Sequence, residues 1–344
     1  MLRSIFSQIT AHRLCTGAFR PLIDNTGKGR ARMASIQTKA ENPSLRLGSH
    51  AFVLRNKNNL GHHVLGYHIS GKSSGQPVFY FHGSPSSRLE ADDFNAVANE
   101  MNVCVIGVDR PGIGLSTYRP DYTLLDWPHD IRQLASHLGF SQFRVMGGSG
   151  GGPYALACAR EIPEDMLKGT GILAGVAPPE SSSKAISWTK WMAFAVNRWT
   201  PEWILCLFLE WALVRHSRNP DQTHWRRIII EGMLKTMPPE DQRLLDEVST
   251  ESWIKSIREC CLTGPHGYVL DARIILRPWP FRLNSIKAKV QIWNGTEDED
   301  TPIDSARWMT DQLPNGNLRE FPGDSHFSIF HCRQNEVLKD LIEM

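Results

Sequence analysis

From about residue 45 the apolar positions change period repeatedly along the chain. Ala51–Leu54 and His62–Ser70 read as two strands joined by the polar turn Asn56-Lys57-Asn58-Asn59. Pro77–Phe81 is a short apolar strand ending at His82-Gly83, and Val103–Val108 is a continuous apolar run ending at Asp109. Helical spacing covers 88–101 and about 126–138, the second closed by Gly139. Phe143–Gly147 is the next strand, followed by a small-residue helix from Gly151 to Arg160. Gly169–Val176 and Val290–Trp293 supply later strands, with helices at 303–313 and 335–342. Strands alternating with helices at these intervals predict an α/β fold with a mostly parallel, doubly wound sheet. Runs such as VCVIGV fit strands covered on both faces.

Between 179 and 280 the alternation stops. This stretch is helical in pattern and holds eight tryptophans, at 188, 191, 199, 203, 211, 225, 253 and 279. It reads as an α-helical insertion over the functional edge of the sheet, a cap whose apolar residues form its own small core and line a pocket. The core then consists of 45–178 and 281–344. No run reaches the ~18–20 apolar residues of a membrane span; Trp203 to Val214 is too short and contains Glu210.

Composition narrows the class. A net charge of +2 gives no electrostatic case for nucleic acid. Seven cysteines, odd in number and without a CxxC pair, suit an intracellular, reducing compartment. Residues 1–40 differ: seven Lys and Arg stand against the single acid Asp24, with Leu2, Ile5, Phe6, Ile9 and Leu14 near helical spacing. An Arg-rich, acid-poor amphipathic leader has the character of a mitochondrial transit peptide. The competing readings are a disordered basic tail of a cytoplasmic protein, or an extended gene model with Met33 as the true start.

The candidate chemistry falls just past the strands, where open α/β sheets bind ligands. Gly147-Gly148-Ser149-Gly150-Gly151 fits G-x-S-x-G and lies between a strand and a helix. A serine on so sharp a turn needs small neighbours, projects its hydroxyl outward, and sits where a helix N-terminus favours negative charge. It also needs a base. His326 lies late in the chain in the turn FPGDSHF, and the loop after VQIW offers Glu297, Asp298, Glu299 and Asp300 as partners to orient the imidazole.

These motifs, in the order nucleophile, acid, histidine, resemble the α/β-hydrolase family over about 60–177 and 281–344. The resemblance implies that the acid loop G-x-x-D-x-x-x-P maps to Gly295, Asp298 and Pro302, which selects Asp298. The alternative acid position after the preceding strand reads Ala174-Gly175-Val176 and holds no carboxylate. His82-Gly83-Ser84-Pro85 resembles the H-G-x-P loop, so Ser84 is expected to give one oxyanion-hole amide and Gly150 the other. Gly107 to Ser116 resembles the family's structural D-x-P-G-x-G-x-S loop. Serine at position 149 argues against the epoxide hydrolases and haloalkane dehalogenases, which place aspartate there.

One rival motif requires a test. Gly66 to Ser73 matches the nucleotide-binding pattern GxxxxGK[ST], but the chain continues into the strand VFYFHG rather than a helix that could cradle phosphate. A P-loop triphosphatase is therefore disfavoured. No HExxH or Cys/His ligand set occurs, and no metal or organic cofactor is required. The expectation is a serine hydrolase forming an acyl-enzyme from an ester of an apolar small molecule. A peptidase, C–C hydrolase, lyase or cyclase, or a non-catalytic binding protein, are the alternatives. Oligomeric state is not encoded in these patterns.

Overall fold

The computed structural model describes residues 46–55, 63–182, 196, 199–235, 237, 239–244 and 247–344. The basic leader, the turn at 56–59, Trp188 and Trp191 lie outside the described residues. Eight strands form one sheet: β1 (Gly48–Leu54), β2 (His63–Gly71), β3 (Gln76–Phe81), β4 (Val103–Val108), β5 (Phe143–Gly148), β6 (Leu167–Leu173), β7 (Val290–Gly295) and β8 (Gly316–Phe321). Their order across the sheet is β1-β2-β4-β3-β5-β6-β7-β8. β1 and β2, and β2 and β4, pair antiparallel; every pair from β4 to β8 is parallel.

The period-two pleat sorts each central strand onto two cores. Phe79 and Phe81 of β3 pack with Ile106, Val108 and Val145 on one face, under helices α2 (Trp127–Leu138) and α3 (Gly152–Glu161). Val78 and Tyr80 point the other way, toward α1 (Asn95–Glu100) and the C-terminal helix at 334–342, with Val105, Met146 and Trp293. Both faces are covered, which is why β3 and β4 have continuous apolar runs. Burying one Phe or Ile in such a layer contributes about 1.5–3 kcal/mol.

β8 was not anticipated from the sequence. In its pattern, Asn317-Leu318-Arg319-Glu320-Phe321, the two charges are consecutive and so fall on opposite faces, and no apolar run marks the strand. Arg319 and Glu320 instead hold ion pairs to Asp340 and Arg307. Such charges protect an exposed edge from further pairing.

Helices α4 (Glu202–Leu209), α5 (Arg215–Ser217), α6 (Gln222–Leu234), α7 (Pro239–Gln242), α8 (Glu247–Leu262) and α9 (His266–Leu276) lie between β6 and β7, with a π-turn at Glu210–Val214 joining α4 to α5. This insertion has its own small core of Leu213, Val214, Trp225, Ile229, Ile254, Ile257 and Cys261. Its described tryptophans divide. Trp225 fills that core, Trp279 joins the main core, Trp253 packs edge-on to Phe327, and Trp199, Trp203 and Trp211 are exposed. Among the described residues no helix is long and apolar enough to cross a membrane.

After the insertion come α10 (Ile303–Gln312), α11 (His326–Cys332) and α12 (Gln334–Ile342). The nucleotide-binding lookalike resolves into β2 as far as Gly71, a turn, and then β3. No helix follows Lys72, so the phosphate cradle is absent from this segment.

Candidate active site

Four parallel strands end at one edge, and the residues after them form the site. After β5 the chain turns through Ser149, whose φ of 49° lies in the left-handed region. A non-glycine residue held there is a functional signal of the kind expected for a strand-to-helix elbow. The flanking glycines are dictated by contact. A Cβ on Gly147 would collide with the Gly151 carbonyl oxygen, and one on Gly151 with the Phe81 carbonyl oxygen. The elbow therefore folds directly against β3.

The loop after β3 lies beside it. A Cβ added at Gly83 would sit 3.5 Å from Ser149 Cβ, and one added at Gly150 would sit 3.1 Å from Ser84 Cβ and 3.5 Å from Ser84 N. The two amides expected to form an oxyanion hole are thus neighbours in space. His82 is fully buried, and its Nδ1 donates to the Gly83 carbonyl at 2.7 Å. Burial and the Arg110 charge hold its pKa well below the usual imidazole range, so it is neutral and serves the loop's shape.

The acid and the histidine arrive from β7 and β8. Asp298 Oδ2 accepts from His326 Nδ1 at 2.7 Å, with the carboxylate buried and the imidazole 24% exposed. Asp298 Oδ1 accepts the amides of Asp300 and Thr301 at 2.8 and 2.7 Å, which fixes the carboxylate in plane. Of the four acids in this loop, Asp298 is the one bonded to the imidazole. His326 begins α11, where Ser325 caps the helix by accepting from the Ser328 amide, and Ser328 Oγ accepts from the Ser325 amide. Sequence reasoning placed His326 in a turn; the serine pair makes it a helix start, with the ring held from below.

Burial lowers the His326 pKa, but the charge and hydrogen bond of Asp298, with Asp300 behind, outweigh it, and the pKa is raised above its ordinary value. With Nδ1–H directed at Asp298, Nε2 presents its lone pair away from the acid. Thr301 joins this site to β6: its hydroxyl lies 2.7 Å from Asp298 Oδ2, 3.3 Å from His326 Nδ1 and 3.1 Å from the Ala174 carbonyl. Two residues on, the Val176 amide donates to the Ser149 carbonyl at 3.0 Å. His326 also lies 5.5 Å from the Phe330 ring, which touches the place a Cβ would occupy on Gly148. Ser149 and His326 therefore share one sheet edge. Among the described residues their side chains are not hydrogen-bonded to each other, a contact that commonly tightens only when substrate is bound.

Several residues of the site had no signal in the sequence. Arg110 and Asp271, each 1% exposed, pair through two parallel bonds of 2.7 and 2.8 Å. Arg110 also donates to the His82 and Gly83 carbonyls, while Asp271 accepts from Ser84 Oγ at 3.1 Å and Tyr154 OH at 2.9 Å. A buried ion pair thus ties an insertion helix to the 82–84 loop and to the helix after Ser149. Beneath that loop, Glu90 accepts from the Gly83 amide at 3.0 Å and from Tyr80 OH at 2.5 Å. Asp109 has the structural role expected of its loop, accepting from the Arg88 and Leu115 amides at 2.7 and 2.9 Å.

Comparison with known proteins agrees with this fold. A family model described as alpha/beta hydrolase fold matches residues 76–331. A proline iminopeptidase of Arabidopsis thaliana is 32% identical over 114 residues, covering 32% of this chain and 29% of that protein. One from Lactobacillus helveticus is 24% identical over 272 residues, covering 76% of this chain and 87% of its own. Among solved structures, a thermophilic esterase from Thermogutta terrifontis aligns at 20% identity and a TM-score of 0.57, over 86% of this chain and 98% of that one. The first-named match thus spans under a third of its relative, and the esterase likeness is one of fold.

Proposed function

The chain belongs to the α/β hydrolase fold family, and from that premise we propose that it is a serine hydrolase acting through an acyl-enzyme on esters of apolar small molecules. Ser149 is the nucleophile, His326 the general base, and Asp298 the group that orients and charges the imidazole. One observation carries the reading: a serine held at positive φ on a strand-to-helix elbow, at the same sheet edge as a histidine bonded to a buried aspartate.

In the reaction Ser149 Oγ attacks the carbonyl carbon while His326 Nε2 takes its proton. Negative charge gathers on the carbonyl oxygen, held by the amides of Ser84 and Gly150, each worth roughly 3–4 kcal/mol of barrier. His326 then protonates the leaving oxygen, and water deprotonated by the same nitrogen releases the acid. The helical insertion acts as a cap: Asp271 and Ser256 fasten it over the loop that carries the Ser84 oxyanion amide. The Trp253–Phe327 contact brings an aromatic surface next to His326, which favours an apolar group on the substrate.

The named relatives favour a second reading, removal of an N-terminal proline from a peptide, which uses the same three residues on an amide. Parallel assays separate the two. Wild type should hydrolyse a short-chain nitrophenyl ester and react with a fluorophosphonate, and Ser149→Ala should lose both, with kcat down on the order of 10⁴–10⁶-fold. Faster turnover of a proline anilide than of the ester would transfer the assignment to the peptidase. Labelling that survives in Ser149→Ala would remove Ser149 from the mechanism.

A further inference from the structure

We propose that Glu202, Cys206 and His266, at the junction of α4 and α9 in the insertion, form a Zn²⁺-binding site separate from the Ser149 centre. Glu202 and Cys206 are one helical turn apart, so both project from one face of α4. That face meets the first residue of α9, His266, whose Nδ1 is directed at both. The three donor atoms lie within 4.8 Å of one another.

The spacings match the ion's own geometry. A tetrahedral zinc with Zn–S of about 2.3 Å and Zn–N of about 2.05 Å separates sulfur from nitrogen by about 3.5 Å, and nitrogen from a carboxylate oxygen by about 3.3 Å. The observed Cys206 Sγ to His266 Nδ1 distance is 3.4 Å, and His266 Nδ1 to Glu202 Oε1 is 3.5 Å. The second separation is long for a hydrogen bond and natural for two ligands of one ion. A thiolate, an imidazole and a carboxylate are also the donor types zinc prefers.

The surroundings prepare the carboxylate. Glu202 Oε2 accepts from Arg273 Nη1 at 3.1 Å, and Oε1 accepts from Tyr118 OH at 2.9 Å. Outer hydrogen bonds of this kind orient a ligating carboxylate and limit its rotamers. Cys206 is 6% exposed, whereas His266 is exposed, so the site opens to solvent on the histidine side, where water would supply the fourth ligand. On binding, the Cys206 thiol passes its proton to solvent, and the aqueous ion sheds all its waters but the one that stays as fourth ligand beside the three side chains. The ion would clamp α4 to the start of α9, the helix that carries Asp271 into the Ser84 loop.

The test is a titration of the full-length, chelator-treated chain with Co²⁺ and then Zn²⁺. One equivalent of Co²⁺ should give a near-ultraviolet thiolate-to-metal band with tetrahedral visible bands, and Zn²⁺ should displace it. Cys206→Ser should abolish the thiolate band, and His266→Ala should weaken binding by about tenfold or more. Circular dichroism melts of both variants establish that they fold. The neighbouring pair His216 and His224, with ring nitrogens 3.0 Å apart, is the control. A His216→Ala, His224→Ala chain should keep the band. Absence of the band in wild type, its survival in Cys206→Ser, or its loss only in the histidine-pair variant would overturn the proposal.

Discussion

The sheet and the insertion are held together by different forces. In the sheet, Val78, Phe79, Tyr80 and Phe81 of β3 and most of β4 are fully buried, and the strands are stabilised by apolar contact on both faces. The insertion has a small apolar core of its own, sends Leu270 and Ile275 of α9 into the core under the sheet, and adds a row of polar bonds along its seam with the sheet. Ser256 Oγ lies 2.8 Å from Ser86 Oγ and accepts from the Ser87 amide at 3.1 Å. Ser252 donates to Asp93 at 2.8 Å, Arg88 to Glu259 at 2.8 Å, and Ser325 to Asp241 at 2.7 Å. Polar contacts fix position and orientation more sharply than apolar ones but add less net free energy each, about 0.5–1.5 kcal/mol for a neutral pair. Substitutions in the sheet should therefore act on stability, and those along the seam on the placement of the catalytic groups as well.

Asp298→Asn should show the largest effect, because it removes charge at the site while leaving the seam untouched. Loss of the correct imidazole tautomer lowers kcat by about 10⁴-fold in comparable triads. The pH profile carries a second readout. His326 acts as a base only when neutral, and its pKa is raised, so the acid limb of kcat/KM should lie above the ordinary imidazole value of about 6.5. In Asp298→Asn the lowering by burial is opposed only by the Asp300 charge, and the limb should move down. A limb that stays in place would assign the titration to another group.

Asp271→Ala should come next, and it bears directly on the comparison. It leaves Arg110 buried and unpaired, which costs about 3–5 kcal/mol, as much as a large-to-small change in the sheet such as Ile106→Ala at about 2–5 kcal/mol. Urea unfolding measures both. Only Asp271→Ala should also lower kcat in the folded fraction, since Ser84 loses its anchor and Arg110, which holds the Gly83 carbonyl, loses its partner. Equal kcat in the two variants would show that the seam holds the insertion without positioning the oxyanion loop.

A smaller, pH-dependent effect arises at Asp93. Burial first, then the neighbouring Glu90 charge, raises its pKa to about 7, against the Ser252 hydrogen bond that lowers it. A carboxyl that binds its proton more tightly when folded stabilises at low pH, and that contribution is lost as pH rises from about 4 to about 7. Three units correspond to a ceiling of about 4 kcal/mol. Asp93→Asn should flatten the fall in melting temperature across this window, and an unchanged slope would place the titration elsewhere.

The difference between the regions also decided what could be read from sequence. β3 and β4 were legible because burial on both faces leaves an unbroken apolar run, and the elbow because Ser149 needs glycine where Gly147 and Gly151 press on neighbouring backbone. Asp298 was separable from Glu297, Glu299 and Asp300 only through the family's loop spacing; its carboxylate lies 2.7 Å from His326 Nδ1. β8 was missed because the adjacent Arg319 and Glu320, on opposite faces, break both an apolar run and an apolar–polar alternation, and α11 because seven residues with a serine cap look like a turn. The seam was illegible for a different reason. Arg110 and Asp271 are 161 residues apart, and a single salt-bridging pair at that separation leaves no periodic trace in one sequence.

The smallest effect expected lies on the insertion's outer surface, and it sharpens the contrast within that region. Trp203, Leu207 and Trp211 lie at four-residue steps along α4 and its continuation, and Trp203 is 64% exposed. Trp225, in the insertion's own core, is 1% exposed and donates from its indole nitrogen to the Ile254 carbonyl at 3.2 Å. If the insertion is stabilised by its small core and its polar seam, Trp203→Gln should change unfolding free energy by no more than about 0.5 kcal/mol. Trp225→Ala should cost about 3–5 kcal/mol through lost burial and the cavity it leaves. Thermal melts of the two variants at one pH suffice. A cost above about 2 kcal/mol for Trp203→Gln would mean that the exposed stripe is covered in the folded protein, and that the insertion is supported by an apolar contact on its outer surface in addition to its core and seam.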